Sequence, residues 1–333
     1  MKSTKLRHIN ADCIGFTRHV VNGKFQYRDR DQQLLKSSDD LARITLLKIP
    51  PAWSQVWICS FSNGHIQATG NDAKGRKQYI YHKQWQTARG KEKYENMIEF
   101  GLSLPTIRQR VNLALAKPGL SREKVLATII YLLEHTMIRI GNDAYAKKNR
   151  SFGLTTFRNR HVAIEGSEVK FHFRGKSGIE HELSLNDRRL AKIIRKIKEL
   201  PGQDLFQYLD EDGNRHAIGS SDVNEYLKEI SGQDFTAKNF RTWAGTLHTL
   251  NALAPFSTET EAKKNLVQAI AIAAKKLGNT PAICKKSYVH PTIIETYLAG
   301  KILDILPTDK GDDKEQLDKV EKYMLKLLRG KSL

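Results

Sequence analysis

The many basic and phenolic side chains beyond residue 130 include two arginines, two lysines and a tyrosine of the types that could act together on a phosphodiester: Arg139, Arg241, Lys176, Lys238 and Tyr288. Cleaving a phosphodiester without a metal ion requires a nucleophile, cations around the two non-bridging oxygens and an acid that protonates the departing alkoxide. Arginine makes bidentate bonds to phosphate, an ammonium can give up a proton, and a tyrosine oxygen can hold the phosphate covalently. These side-chain types match the requirements of such a reaction.

Each of these residues also has an ordinary structural explanation. A single tyrosine on a short helix is usually a core or surface aromatic, and Arg139 could cap the carbonyls at the end of a helix. Lys238 and Arg241, three residues apart, could form a basic helix face, and Lys176 could be an exposed turn lysine. Taken singly, none of them predicts a function, so their order and their neighbours along the chain must decide.

The elements that carry these side chains are predicted to be mainly helical. Ser121 is a candidate N-cap for a densely apolar core helix that ends near Gly141, and Thr280-Pro281 opens a short helix. Residues 161–185 alternate instead and predict a three-stranded antiparallel meander with Lys176 at a hairpin tip. Further helices are predicted over 187–200, 221–230, 237–253 and 258–277, and a loop at 307–313 precedes a charged helix over 315–328.

The N-terminal part has a different pattern. Short β-like runs at 52–60 and 78–82 are separated by Gly, Asn and Asp turns. We therefore expect an α+β protein with a small β-rich DNA-binding domain over residues 1–88 and a larger, mainly α catalytic domain over 89–333.

The charge of the chain points to a polyanionic partner. Lys and Arg number 55 against 36 Asp and Glu, a formal net charge of +19 over 333 residues, which favours nucleic acid. Seven of the cations lie between Lys74 and Lys93. Tyr79, Tyr81 and Trp85 alternate among them and would share one face of a strand. Together with Gln78 this mixture favours DNA contact; the alternative is a solvated basic loop beside core aromatics.

Several other classes of protein are not indicated. The N-terminus has no apolar signal-peptide region, and no run approaches the roughly 20 apolar residues of a membrane span. The three cysteines are widely spaced, and the histidines show no metal-ligand spacing. Gly70–Lys77 is a poor match to a phosphate-binding loop, and Asp210–Asn214 reads as a turn rather than a calcium loop.

Six short segments, in order, resemble the compact poxvirus-type and bacterial type IB DNA topoisomerases. They are Asp72–Tyr81 (DAKGRKQYIY), Ile138–Tyr145 (IRIGNDAY), Gly153–Val162 (GLTTFRNRHV), Phe173–Lys176 (FRGK), Lys238–Thr242 (KNFRT) and Leu277–Tyr288 (LGNTPAICKKSY). Singly the short ones are weak signals, but together and in this order they are specific.

The resemblance implies a role for each candidate catalytic residue. Tyr288 would form a 3′-phosphotyrosyl bond and release a 5′-hydroxyl, Arg139 and Arg241 would hold the scissile phosphate, and Lys176 would be the general acid. Lys238 would assist at the phosphate or the leaving group. Nine residues before the nucleophile, Asn279 stands where the poxvirus enzymes have His, and it could still donate a neutral hydrogen bond to a phosphate oxygen.

The resemblance also implies a DNA-binding surface and a mode of action. Contacts would come from Arg76, Gln78, Tyr79 and Tyr81 in the N-terminal domain and from Tyr145 in the catalytic one. A monomeric, C-shaped clamp would close on double-stranded DNA, nick one strand, allow rotation and reseal, with no ATP, metal or small-molecule cofactor. The compact size suggests a bacterial enzyme, cytoplasmic and nucleoid-associated.

Two alternatives remain open at this point. A tyrosine recombinase uses similar chemistry, but recombinases usually carry H-x-x-R at the second arginine and a helical N-terminal domain, whereas here the motif is Lys238-Asn-Phe-Arg241. A non-catalytic architectural DNA binder would account for the charge, but it gives no reason for Tyr288 to follow the Thr280-Pro281 helix start.

Overall fold

A computed structural model describes residues 5–10, 13–256, 261–302 and 313–330 of the chain. It divides into two compact units, Met1–Glu95 and Asn96–Leu333. The domain boundary after residue 88 stays a prediction.

The first unit is built on one antiparallel sheet. Its elements are β1 (Gly15–Val21), β2 (Lys24–Arg28), α1 (Ser38–Leu46), β3 (Ser54–Cys59), β4 (Ile66–Asn71) and β5 (Lys77–Tyr81). The strand order is β2-β1-β3-β4-β5. Ile44 of α1 packs with Val56, Ile58 and Ala68 of the sheet to form the core. The β-rich character predicted for this region is confirmed.

The second unit is mainly helical. The long α2 (Lys83–Ala116) leads into it, followed by α3 (Arg122–Thr136), α4 (Asp143–Asn149), β6 (Val162–Glu165), β7 (Glu168–Arg174), β8 (Glu180–Asn186), α5 (Arg188–Glu199), β9 (Gln207–Leu209), β10 (Arg215–Ala217), α6 (Ser220–Ser231), α7 (Ala237–Leu253), α8 (Ala262–Leu277), α9 (Pro281–Tyr288), α10 (Pro291–Leu298) and α11 (Asp313–Leu328). Strands β6, β7 and β8 form the predicted antiparallel meander. The α+β fold class is therefore confirmed.

The core helix α3 ends earlier than predicted. Met137 adopts a left-handed conformation (φ 55°), and its N–H donates to the Leu133 carbonyl, which caps the helix at Thr136 rather than near Gly141. The backbone after Met137 does not continue the helical hydrogen bonds. Instead, the Arg139 carbonyl accepts from the N–H of Leu154 at 2.9 Å. Arg139 thus lies beyond the end of the helix and outside any helix or strand, and the prediction that the helix continues through it is wrong.

A second difference concerns Trp85. Helix α2 begins at Lys83, so Trp85 lies on a helix while Tyr79 and Tyr81 lie on strand β5. The indole packs against the rings of His8 and His65 at 5.2 and 4.8 Å. The prediction that all three aromatics share one strand face therefore holds only for the two tyrosines.

The remaining predictions concern loops and termini. Asp72–Arg76 is the turn between β4 and β5, and Asp210–Asn214 is the turn between β9 and β10. The predicted loop at 307–313 lies outside the described residues except for Asp313, and so does Thr258, where α8 was expected to begin.

Helix α11 packs against other helices of the second unit. Glu321 accepts a hydrogen bond from the Trp243 indole at 2.7 Å and pairs with Arg108, which also pairs with Glu134. In the described part of the chain, no helix is long and apolar enough to cross a membrane.

Candidate active site

Tyr288 is the last residue of α9, whose start is set by local chemistry. The Thr280 hydroxyl accepts from the N–H of Ile283, and Pro281 occupies the first turn. The end of the helix is held from α7: the Thr246 hydroxyl donates to the Tyr288 carbonyl at 2.9 Å and accepts from the N–H of His290 at 3.0 Å. Helix α9 is thus held at both ends, by the Thr280 cap at its start and by Thr246 at Tyr288.

Gly245 allows this close approach of α7 and α9. A Cβ at Gly245 would lie 2.6 Å from the Tyr288 Cβ and 2.8 Å from its carbonyl oxygen. Only glycine leaves room for the tyrosine backbone at this point. Sequence reasoning missed both Gly245 and Thr246, because four or five residues after an arginine they look like ordinary small residues of a helix interior.

Arg241 lies on α7 and is 5% exposed. Its guanidinium donates to two carbonyls. One is that of Met137, just beyond α3, and the other is that of Leu277 at the end of α8, at 2.8 Å. It also lies over the Tyr288 ring, 5.2 Å from the centroid. Carbonyls at helix C-termini carry partial negative charge, so they can hold a buried guanidinium in place.

Arg139 and Asn279 form a hydrogen-bonded pair in the same site as Arg241. Arg139 donates to the Asn279 amide oxygen at 2.5 Å and to the Gly278 carbonyl at 3.5 Å. The local environment lowers the pKa of Arg139 to about 10, through burial first and then through the charge of Arg241. The guanidinium still remains charged at neutral pH.

The two arginines have no acidic partner in the described ranges. The charges that act on Arg139 are those of Arg241 and Tyr288, and the charges that act on Arg241 are those of Tyr288 and Cys284. Two donors nearby are buried with no hydrogen-bond partner, namely Nε of Arg241 and Nδ2 of Asn279. Because buried donors are nearly always satisfied in native proteins, the arrangement is complementary to an anion with several acceptor oxygens.

These cations act on the Tyr288 phenol. Burial raises its pKa, but the neighbouring charge and hydrogen bond of Arg241, with the charges of Arg139 and Lys176, outweigh burial and bring the pKa below its usual value. A lowered pKa favours the phenolate, which is the nucleophilic form.

Lys176 follows β7 in the tight turn that leads to β8. The next two residues, Ser177 and Gly178, have φ values of 67° and 78°. The Lys176 side chain is exposed, and it lines the same pocket as Arg139, Arg241 and His181. The structure therefore brings together the predicted Arg139, Lys176, Arg241, Asn279 and Tyr288.

Lys238 lies one turn before Arg241 on α7, as expected from the spacing. Its side chain is exposed, and it is not among the residues that line the pocket. The structure does not bring Lys238 into the cluster with the other predicted residues.

The predicted DNA-contact residues occupy two kinds of position. Tyr79 and Tyr81 lie on the exposed face of β5 with their rings stacked at 5.9 Å, and Tyr145 of α4 is 59% exposed. Gln78 lies on the opposite face of β5. It donates to Asp72 at 3.0 Å, and Arg76 pairs with the same carboxylate at 2.7 Å.

The residues that the structure describes contain no candidate metal site. Groups of three or more His, Cys, Asp or Glu side chains that could hold a metal ion do not occur there.

Replacing Thr246 with valine tests its hold on the nucleophile. We expect covalent attachment to DNA to slow by about 10-fold, since a small displacement of a reacting group is costly, while the fold is retained. Thr249→Val is the matched control, because Thr249 is also buried on α7 and donates to a carbonyl four residues back, that of Gly245, but has no bond to Tyr288. Equal slowing in single-turnover cleavage by both variants would contradict the assignment.

Comparison with known proteins covers both units. Residues 82–305 match the family model described as "Eukaryotic DNA topoisomerase I, catalytic core", and residues 24–72 match "Bacterial DNA topoisomerase IB, N-terminal domain". The chain is 33% identical over 294 residues to DNA topoisomerase 1B of Acanthamoeba polyphaga mimivirus, covering 85% of this chain and 87% of that protein.

Two poxvirus proteins show the same likeness at lower identity. DNA topoisomerase 1B of Vaccinia virus (strain Copenhagen) is 27% identical over 249 residues, 73% of this chain and 76% of that protein. DNA topoisomerase I of Monkeypox virus is 28% identical over 249 residues, with the same coverage of 73% and 76%. The first family match spans all the pocket residues and Tyr288.

Proposed function

The chain belongs to the type IB DNA topoisomerases, and from this premise we propose that Tyr288 nicks one strand of duplex DNA through a 3′-phosphotyrosyl intermediate. The Tyr288 oxygen attacks the scissile phosphorus, the bond to the 5′ oxygen breaks, and a proton is delivered to that oxygen. The free end then rotates about the intact strand. In the reverse step the 5′-hydroxyl attacks the phosphotyrosine and restores the original bond.

The observation that carries this proposal is the position of Tyr288 beside two arginines that have no acidic partner in the described ranges. Arg241 lies 5.2 Å from the phenol ring centroid, and Arg139 adds a second positive charge. Charge that builds up on the two non-bridging oxygens would meet donors that are already in place, which is the most effective form of electrostatic stabilisation. The Asn279 amide nitrogen, which has no hydrogen-bond partner, would be a further donor to these phosphate oxygens.

The proposed roles of the two lysines rest on different observations. Lys176 is placed as the proton donor because it lines the pocket from an exposed turn. Lys238 is proposed only as an auxiliary cation that assists at the phosphate or the leaving group, because its side chain is exposed and does not line the pocket.

Duplex DNA is proposed to contact both units. The stacked, exposed pair Tyr79 and Tyr81 offers aromatic surface beside Lys77, and Tyr145 offers an exposed phenol. We propose weaker contacts for Arg76 and Gln78, because the Asp72 carboxylate already binds both side chains.

The reaction as proposed needs neither ATP nor a metal ion. The energy of the phosphodiester is conserved in the tyrosyl ester, so resealing is close to isoenergetic. The charge that a divalent cation would supply comes from Arg139, Arg241 and Lys176. We also propose a monomeric, bacterial, nucleoid-associated enzyme of the cytoplasm, since the substrate is DNA and residues 24–72 match a bacterial domain.

Family membership decides against the two alternatives, a tyrosine recombinase and a non-catalytic architectural binder.

The test is relaxation of supercoiled plasmid in EDTA with no ATP. We expect plasmids of either supercoil sign to relax, with the rate falling steeply as salt increases, because binding neutralises many phosphates. A parent protein that relaxes plasmid only when ATP or Mg²⁺ is added would contradict the proposal.

A further inference from the structure

His181 is a side chain of the pocket that the proposed mechanism does not use. It lies on β8 directly opposite Phe173 of β7, and the two rings stack at 5.0 Å with 12° between their planes. Residues directly opposite each other on antiparallel strands share one face of the sheet. The stacking therefore fixes the imidazole on the side of the meander that lines the pocket with Arg139, Lys176 and Arg241.

Two glycines leave room for this ring. A Cβ at Gly175 would lie 2.6 Å from Cδ2 of His181, and a Cβ at Gly278 would lie 2.4 Å from Cε1. The ring is therefore in close contact with two separate backbone segments. Gly175 immediately precedes Lys176, and Gly278 immediately precedes Asn279.

The two segments come from different parts of the unit. Gly175 belongs to the turn between β7 and β8, whereas Gly278 (φ 60°) terminates α8 and accepts a hydrogen bond from Arg139. In the described part of the chain, the His181 ring nitrogens take part in no hydrogen bond. Its contacts with the two turns are packing contacts, so the size of the ring sets how closely the turns approach.

The charges around His181 favour the neutral ring. Arg139 and Arg241 face it from the segment after α3 and from α7, Lys176 and Lys276 line the same pocket, and Glu180 is its neighbour on β8. Burial, followed by the two arginine charges, lowers the pKa of His181 in spite of Glu180. A neutral ring adds no further repulsion to a site that already holds several cations.

We propose that His181 is a positioning residue, whose ring sets the spacing between the Lys176 turn and the Asn279 turn. This inference rests on the proposed function, because it concerns how the proton donor and the phosphate-binding groups reach one phosphate. Without the ring, the Lys176 turn loses its support against the end of α8. The phosphate-binding set formed by Arg139, Arg241 and Asn279 keeps its own hydrogen bonds.

The experiment measures single-turnover cleavage by His181→Ala and His181→Phe on two matched duplexes. One has the ordinary 5′ oxygen at the scissile bond and the other has a bridging 5′ sulfur, which leaves with little need of a proton. We expect His181→Ala to cleave the oxygen substrate about 10- to 100-fold more slowly than the parent, the size of effect produced by misplacing a reacting group. On the sulfur substrate it should match the parent within about 3-fold, since general-acid assistance is not needed there.

His181→Phe keeps an aromatic ring against Phe173 and should restore most of the rate on the oxygen substrate. Equal slowing of His181→Ala on both substrates would overturn the inference, since a general loss of structure has that signature. Parental rates in His181→Ala would overturn it too. Should the alanine variant not fold, a phenylalanine variant that folds and is slow on both substrates would overturn it. A parent protein that forms no covalent complex would refute the proposed function itself, which distinguishes the two failures.

Discussion

Tyr288→Phe is expected to abolish both covalent attachment to DNA and plasmid relaxation. The substitution removes only the phenol oxygen, so the ring can still lie under Arg241 and the backbone bonds to Thr246 are kept. Without that oxygen no phosphotyrosyl ester can form, and we expect a loss of more than about 10⁴-fold, as for other covalent nucleophiles. The covalent complex is measured by its retention on a denaturing gel after mixing with end-labelled duplex.

The control for this variant is Tyr208→Phe. Tyr208 is a half-buried tyrosine of β9 that stacks on His216 at 5.3 Å and lies outside the pocket. It should retain parental activity, and Tyr288→Phe should retain DNA binding in a gel-shift assay. Residual relaxation by Tyr288→Phe at the parental rate would refute the nucleophile assignment.

Lys176→Ala is expected to have the second largest effect. General-acid catalysis contributes about 10²- to 10⁴-fold, so cleavage of an ordinary 5′-oxygen substrate should slow by that amount. A bridging 5′ sulfur leaves as a thiolate, a much weaker base than an alkoxide, and the same variant should then cleave close to the parental rate. Single-turnover rates on the two substrates give the comparison directly.

The matched control for Lys176 is Lys170→Ala. Lys170 lies on β7 of the same meander, is half-buried and pairs with Glu165 and Glu168. It does not line the pocket, so its loss should change neither rate. If Lys176→Ala slowed both substrates equally, Lys176 would be positioning DNA rather than donating a proton.

Features that depend on neighbouring residues could be predicted from the sequence. The Thr280-Pro281 start of α9 follows from a hydroxyl cap and a proline at the first turn, both local in the chain. The turn that carries Lys176 follows from alternating strands on either side of Gly175. The end of α3 could not be predicted in this way. Apolar residues continue past its end, at Met137, Ile138 and Ile140, and the competing backbone bonds come from residues 154 and 155.

The site shows the same division. The order of Arg139, Lys176, Arg241 and Tyr288, with their flanking residues, was sufficient to predict the family, and the family comparisons confirm it. The roles of these residues stay predictions until the variants are measured. The placement of Trp85 on a helix, away from the tyrosine pair, could not be seen because the basic segment continues without a break from strand to helix.

By itself, the sequence determined the family, the DNA partner and the α+β class, because these depend on residue types, order and short-range periodicity. Only the tertiary structure decided which cations converge. Arg241 bonds to carbonyls of Met137 and Leu277, which are distant in the chain, while Lys238 on the same helix stays outside the pocket. The ring of His181 between Gly175 and Gly278 is likewise a product of packing. Such contacts join segments far apart in sequence, and no local pattern encodes the distance between them.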